Sequence, residues 1–134
     1  MLTEACAREF RDSWLPNITD AGLERLMELL RKGSPFLIHG CFTRAVPMGC
    51  LATHIAWNHP ETADCTVDAG IHWLHRVAGL NPATSLVIRE WDTRGSRDWQ
   101  LRSDLLDLLE QEIGRRRPVA TDPCASSPAV TCPV

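Results

Sequence analysis

The stretch TDAGLERLMELLRKG, residues 19–33, decides the fold class. From Leu23 onward, apolar side chains recur at i, i+3, i+4 and i+7, a spacing that places them along one face of a helix. Thr19 or Asp20 can cap the first turn of this helix. Gly33 stands where a left-handed residue commonly ends one. The segment therefore predicts an amphipathic helix that packs against a core.

Further helices are predicted on the C-terminal and N-terminal sides of residues 19–33. The same apolar spacing recurs in segments on both sides. Asn81 followed by Pro82 is typical of a helix start and precedes the predicted helix over residues 83–91. Residues 85–88 taken alone would also suit a strand, but the start signal before them favours a helix. The additional predicted helices cover residues 3–14, 47–57, 67–78, 83–91 and 97–113.

These segments predict an all-α or nearly all-α fold, a single bundle of five to six short helices. The stretch near residues 36–43 is short, apolar and bounded by Gly and Pro, so it is predicted to be one extended segment or a small hairpin. Residues 1–116 form the predicted helical domain. Residues 117–134 contain four prolines and no periodicity, which predicts a disordered Pro-rich tail.

Composition and charge exclude several classes of protein. The 134 residues are 44% hydrophobic and 23% charged, as in globular domains, which excludes disorder over most of the chain. The net charge of −3 gives no overall attraction for nucleic acid or anionic lipid. The sequence has neither a secretory signal nor a long apolar span, so we expect a cytoplasmic protein without a membrane partner.

Histidine and cysteine are concentrated in one part of the chain. All five His and three of the six Cys lie within residues 39–75. Cys50 and His54 are spaced i, i+4, and His72 and His75 are spaced i, i+3, so each pair shares a helix face. Four nitrogen and sulfur ligands would suit tetrahedral zinc, which makes this set a candidate metal site.

Both the ligand set of that zinc site and its existence remain open. Asp68 lies one turn before His72 and can be either a ligand or an acceptor that orients the imidazole. No established metal motif is present, however, so Cys50 can equally be a small buried hydrophobe and the two later His can lie on a solvated face.

Cys41 is the candidate for thiol chemistry. It follows His39 and Gly40 in a predicted loop, and a nucleophilic Cys needs a neighbour that lowers its pKa or accepts its proton. His39 is the candidate neighbour, and Arg44 can contribute electrostatically. No family signature surrounds this Cys.

Residues 89–99 alternate in charge and contain two Trp, a composition typical of a contact surface because Trp and Arg are frequent interface anchors. The alternative is a solvated turn whose Trp side chains fold inward. We expect no nucleic-acid partner, since the last predicted helix is acidic. The candidate partner-binding residues are Trp91, Asp92, Arg94, Arg97 and Trp99.

Residues 49–52, Gly-Cys-Leu-Ala, followed downstream by Trp91 and Asp92 and by a Leu-rich last helix, resemble a small bacterial family of unknown function. That family has a Cys-containing helix, a Trp-Asn-Asp type of turn and a closing helix. The resemblance spans residues 20–113, although Asn is missing from the turn here. It implies no catalytic residue, substrate or cofactor.

The leading interpretation is therefore a small cytoplasmic, non-catalytic protein-interaction or regulatory module that needs no cofactor. A zinc protein that uses the His and Cys cluster is the alternative. A thiol enzyme at Cys41 is the third hypothesis.

Overall fold

The computed structural model describes residues 2–95 and 97–117. Within these residues the chain is all-α, as the apolar periodicity predicted, and it contains no strand. Two of the helices continue into π-helical turns, at Phe10–Trp14 and Trp73–Val77, and the first of these leads into a 3-10 turn at Leu15–Asn17. The α-helices are α1 (Glu4–Glu9), α2 (Asp20–Lys32), α3 (Leu51–Trp57), α4 (Ala69–His72), α5 (Leu86–Arg94) and α6 (Trp99–Arg116).

Helix α2 has the ends and the buried face that its sequence predicted. The Thr19 hydroxyl accepts a hydrogen bond from Gly22 N at 3.1 Å, which satisfies one of the free N–H groups of the first turn. Gly33 ends the helix with φ of 60°, the left-handed conformation that glycine adopts without a Cβ penalty. The buried side of α2 packs against α3 and α6.

Three fully buried Trp side chains fill the centre of the bundle. Trp14 and Trp73 meet edge to face, with ring centroids 5.3 Å apart. Trp14 is the last residue of the first π-helical turn and Trp73 is the first of the second, so this contact joins the two turns. Trp91 is 1% exposed. Aromatic rings of this size supply a large share of the apolar burial in a small domain.

The stretch near residues 36–43, predicted to be one extended segment or a small hairpin, is an irregular loop that folds back on Gly49. Ile38 N donates to Gly49 O, and Gly49 N donates to Phe36 O, both at 2.9 Å. Two isolated bridges join Leu37 and Thr43 to Gly49. Because these hydrogen bonds hold the chain extended up to this point, α3 begins at Leu51 and not at residue 47.

Two other helices differ from their predicted limits. Helix α5 begins at Leu86, three residues later than predicted, and continues to Arg94, beyond its predicted end at residue 91. Helix α4 begins at Ala69, so Val67 precedes it, and its inward face continues from Ala69 and Gly70 to Trp73 and Leu74. Val67 and Ile71, predicted to face inward, are therefore 59% and 39% exposed. The α-helical spacing holds here, but the face predicted from Val67 and Ile71 is not the one that is buried.

Helix α6 closes the bundle. Asp98 caps it by accepting Leu101 N at 3.0 Å, and the helix ends at Arg116, at the predicted limit of the helical domain. The predicted disordered tail lies almost entirely outside the described residues, which end at residue 117.

Candidate functional site

Trp91 was predicted as an exposed partner contact, and that prediction is wrong. Its indole N–H donates to Ile38 O at 2.7 Å, and the side chain is buried. The reason is that α5 continues past residue 91, so Trp91 shares the inward face of this helix with Val87 and Ile88. The guanidinium of Arg102 lies over its ring, 5.5 Å from the centroid.

Two of the other predicted contact residues have partners within the fold. Asp92 accepts Gly40 N at 2.9 Å, which ties the irregular loop to α5. Arg94 forms ion pairs with Glu90 at 2.6 Å and with Asp98 at 2.9 Å, across the junction between α5 and α6. These contacts give both residues structural roles.

Arg97 and Trp99 are exposed, as the interface prediction requires. Trp99 is 74% exposed, more than any other large hydrophobic side chain among the described residues. A large aromatic ring left this far in water is commonly found at a binding surface.

Trp99 lies beside a groove of about 530 Å³ between the C-terminal end of α2 and the first turns of α6. We call it the Trp99 groove. Its apolar surface comes from Leu30, Leu106 and the Trp99 ring, and its charge comes from the cationic side chains of both helices. The cations that line it are Arg31, Lys32 and Arg102.

The three cations of the Trp99 groove differ in how they are paired. Arg31 binds Glu110 at 2.6 Å, and Lys32 binds Glu28 at 3.0 Å. Arg102, by contrast, contacts the Trp91 ring and has no carboxylate partner among the described residues. Burial lowers the pKa of the Arg102 guanidinium below its usual range, because partial desolvation disfavours the charge. Sequence reasoning did not single out Arg102, because no pattern distinguishes it from the other Arg residues.

The four predicted zinc ligands do not come together in the described part of the chain. His54 Nε2 donates to Phe36 O at 2.7 Å inside the fold, and Cys50 is buried at the start of α3. His75 is exposed on the second π-helical turn. Burial lowers the pKa of the His54 imidazole and raises that of the Cys50 thiol to about 11, so both groups are neutral near pH 7.

A different set of three ligands does converge, and it includes one of the four. Single ligand atoms of Cys65, Asp68 and His72 all lie within 4.8 Å of one another, and no other such group of three or more occurs in residues 2–95 and 97–117. His72 Nε2 donates to Asp68 Oδ2 at 2.8 Å. Asp68 was anticipated as a neighbour of His72. Cys65 is one of the three Cys in the predicted cluster, and the spacing Cys-x2-Asp-x3-His is the sequence signal that links it to the other two ligands.

Cys41 lies half-buried in the irregular loop, next to Gly40, whose φ is 87°. His39 is exposed, and no hydrogen bond links its ring to the Cys41 thiol among the described contacts. The predicted nucleophile and base are therefore not paired in this conformation.

No family model, curated protein or solved structure matches this chain. The resemblance to the small bacterial family therefore stays a prediction. None of the described helices is long and apolar enough to cross a bilayer.

Proposed function

We propose that the protein is a small non-catalytic interaction module that binds an acidic peptide segment of a partner protein in the Trp99 groove. The observation that carries this proposal is Arg102, a partly buried cation that lines the groove without a carboxylate partner in the described chain. A regulatory role in the cytoplasm belongs to the same proposal.

Charge favours an acidic occupant. The whole chain has a net charge of −3, yet three cations line this one groove. The charges of Arg31 and Lys32 are offset by their Glu partners. No carboxylate among the described residues offsets the charge of Arg102. A carboxylate placed beside Arg102 would form a charge-assisted, potentially bidentate hydrogen bond with a cation that is already partly desolvated.

The apolar surface sets the second requirement for the peptide. Leu30 and Leu106 line the groove beside the exposed Trp99 ring. Trp and Arg are the residue types that most often dominate binding energy when an interface buries them. We therefore expect the bound segment to place a Leu or Phe next to its Glu or Asp.

Fluorescence anisotropy tests the proposal with a labelled peptide that has a central Leu-Phe pair between Glu residues. The same peptide with Lys in place of Glu measures the charge requirement. We expect the parent to bind only the acidic peptide, and Arg102→Ala or Trp99→Ala to weaken binding by about tenfold, which corresponds to ~1.4 kcal/mol.

Two matched variants serve as controls, because each removes an exposed side chain outside the groove. Arg89→Ala removes an exposed cation from α5, and Val67→Ala removes an exposed apolar side chain before α4. Both are expected to bind like the parent. Equal binding of the acidic and basic peptides, or unchanged binding by the Trp99 and Arg102 variants, would overturn the proposal.

Sedimentation of the parent provides one further outcome. A dimer that dissociates on Trp99→Ala would show that a second copy of the chain occupies the groove, and the peptide proposal would then fail.

A further inference from the structure

We propose that Cys65, Asp68 and His72 form a zinc-binding site. Their sulfur, oxygen and nitrogen ligand atoms lie within 4.8 Å of one another, at the turn that leads into α4. None of the three lines the Trp99 groove, so this site is independent of the function proposed above.

The chemistry of the three ligands favours zinc over a harder cation. Zinc takes thiolate, imidazole and carboxylate ligands together, whereas calcium and magnesium take oxygen ligands. Three protein ligands leave the fourth tetrahedral position for water or for a group on a partner. His72 and Cys65 are half-buried and Asp68 is exposed, so the group of ligands is accessible from solvent.

The backbone that carries Cys65 is held in place by the core of the fold. Trp57 Nε1 donates to Cys65 O at 3.1 Å and to Thr66 O at 3.3 Å. The buried Thr62 hydroxyl donates to Ala56 O at 2.7 Å, and Cys65 N donates to Thr62 O. These hydrogen bonds fix the turn against α3 before any metal arrives, which lowers the entropic cost of binding.

The carboxylate of Asp68 is oriented toward the site. Asp68 occupies the N-cap position of α4, where an Asp side chain ordinarily accepts a backbone N–H of the first turn. Its side chain makes no such capping bond and accepts His72 Nε2 instead. Its i, i+4 relation to His72 places both side chains on one side of this helical turn.

Zinc binding requires a defined set of proton movements. The Cys65 thiol releases its proton to solvent and binds as the thiolate. Zinc replaces the hydrogen bond between Asp68 and His72, and the neutral imidazole carries its proton on Nδ1 when Nε2 is the ligand. Binding is therefore accompanied by proton release and weakens as the pH falls.

Titration of the full chain with zinc, in competition with a chromophoric chelator, tests the site directly. We expect one zinc per chain, with affinity reduced at least about tenfold by Cys65→Ser and by His72→Gln. Cys41→Ser and His75→Gln are the matched controls, because they remove another half-buried thiol and another imidazole of the same segment. Both should keep the parent affinity.

Cobalt reports the ligand type without relying on affinity. We expect a thiolate-to-cobalt charge-transfer band in the parent and in Cys41→Ser, and its loss in Cys65→Ser. Circular dichroism establishes that each variant is folded. If Cys65→Ser does not fold, two other measurements replace it. One is the zinc affinity of Asp68→Asn, which alters an exposed side chain. The other is the protection of Cys65 from alkylation by zinc in the parent.

The proposal fails if the parent binds no zinc at micromolar concentration, or if zinc binds Cys65→Ser and His72→Gln as tightly as the parent. The second result would assign binding to other ligands of the chain. Zinc that protects Cys41 and Cys65 equally from alkylation would also overturn it.

Discussion

The carboxylate of Glu9 accepts the hydroxyl of Ser85 at 2.5 Å, so the end of α1 reinforces the N-cap of a helix that lies 76 residues further along the chain. The same carboxylate accepts Leu86 N at 2.9 Å and Val87 N at 3.3 Å. It also accepts the indole N–H of Trp14 at 3.0 Å. A negative group at a helix N-terminus satisfies free N–H groups and interacts favourably with the helix dipole.

Glu9→Ala is expected to lower the free energy of unfolding by about 2–3 kcal/mol, because it leaves several partly buried donors without an acceptor. Glu4→Ala is the matched control. Glu4 lies on the same helix, and its ion pair with Arg8 is largely exposed, so about 0.5 kcal/mol or less should be lost. Urea unfolding measures both. Equal losses in the two variants would contradict the capping role of Glu9.

This contact explains why the sequence predicted α2 correctly and α5 only in part. The cap, the apolar stripe and the terminal glycine of α2 are all local, so they can be read from fifteen consecutive residues. The start of α5 combines a local N-cap, Ser85, whose hydroxyl accepts Ile88 N, with Glu9, which is distant in sequence. Asn81 and Pro82 form a turn before it, with Asn81 Oδ1 accepting Ala83 N, and do not begin the helix.

The candidate sites were predictable to a similar extent. Trp99 is exposed and His72 lies close to two other possible ligands, and residue type and neighbourhood are enough to single out both residues. Whether Trp91 points inward depends on where α5 ends, and whether His54 meets other ligands depends on the loop that holds Phe36. The orientation of Trp91 and the surroundings of His54 depend on tertiary packing, which cannot be inferred from the spacing of residues along the chain.

Trp91→Ala is expected to cost about 3–5 kcal/mol of stability, because it empties a fully buried site and removes the donor to Ile38 O. It should also weaken peptide binding, since Arg102 loses the ring beneath it. Trp99→Ala removes an exposed ring and should change stability by about 0.5 kcal/mol or less. Thermal unfolding followed by circular dichroism separates the two, and similar melting temperatures would contradict the inward position of Trp91.

Gly70 allows α4 to approach α3 closely. A Cβ at this position would lie 2.6 Å from the Thr53 hydroxyl oxygen and 2.9 Å from Thr53 N. Because the Thr53 backbone nitrogen cannot move aside without shifting α3, Gly70→Ala should lower the free energy of unfolding by about 1–3 kcal/mol. Gly114→Ala, in α6, meets nothing within 4 Å and should stabilise the protein by up to about 1 kcal/mol. Urea midpoints that move in the same direction would exclude this packing argument.

His54 should make stability depend on pH. Burial lowers the pKa of its imidazole in the folded protein below the ordinary value of about 6.5, so the unfolded chain binds a proton more readily than the folded chain does. Its contribution is therefore fully present above about pH 6.5 and is lost as the pH falls through the folded pKa.

Urea unfolding between pH 7.5 and 5 should show a steeper decline in the free energy of unfolding for the parent than for His54→Gln. His75→Gln, which alters an exposed imidazole, should keep the parent slope. Parallel curves for the parent and His54→Gln would contradict the prediction.

The described cysteines should fall into two classes of reactivity. Burial, with the nearby Glu90 and Glu9, raises the pKa of the Cys6 thiol to about 12, and burial raises that of Cys50 to about 11. Both thiols therefore stay protonated and shielded at pH 8, whereas Cys41 and Cys65 are half-buried. Since a buried thiol reacts only when the fold opens, alkylation of Cys6 and Cys50 should be at least about a hundredfold slower than alkylation of Cys41 and Cys65.

Peptide mapping by mass spectrometry resolves each site, and urea should remove the difference in rate. Equal native rates at all four would contradict the burial of Cys6 and Cys50, and a rate at Cys41 above that of a short model peptide would favour thiol chemistry there.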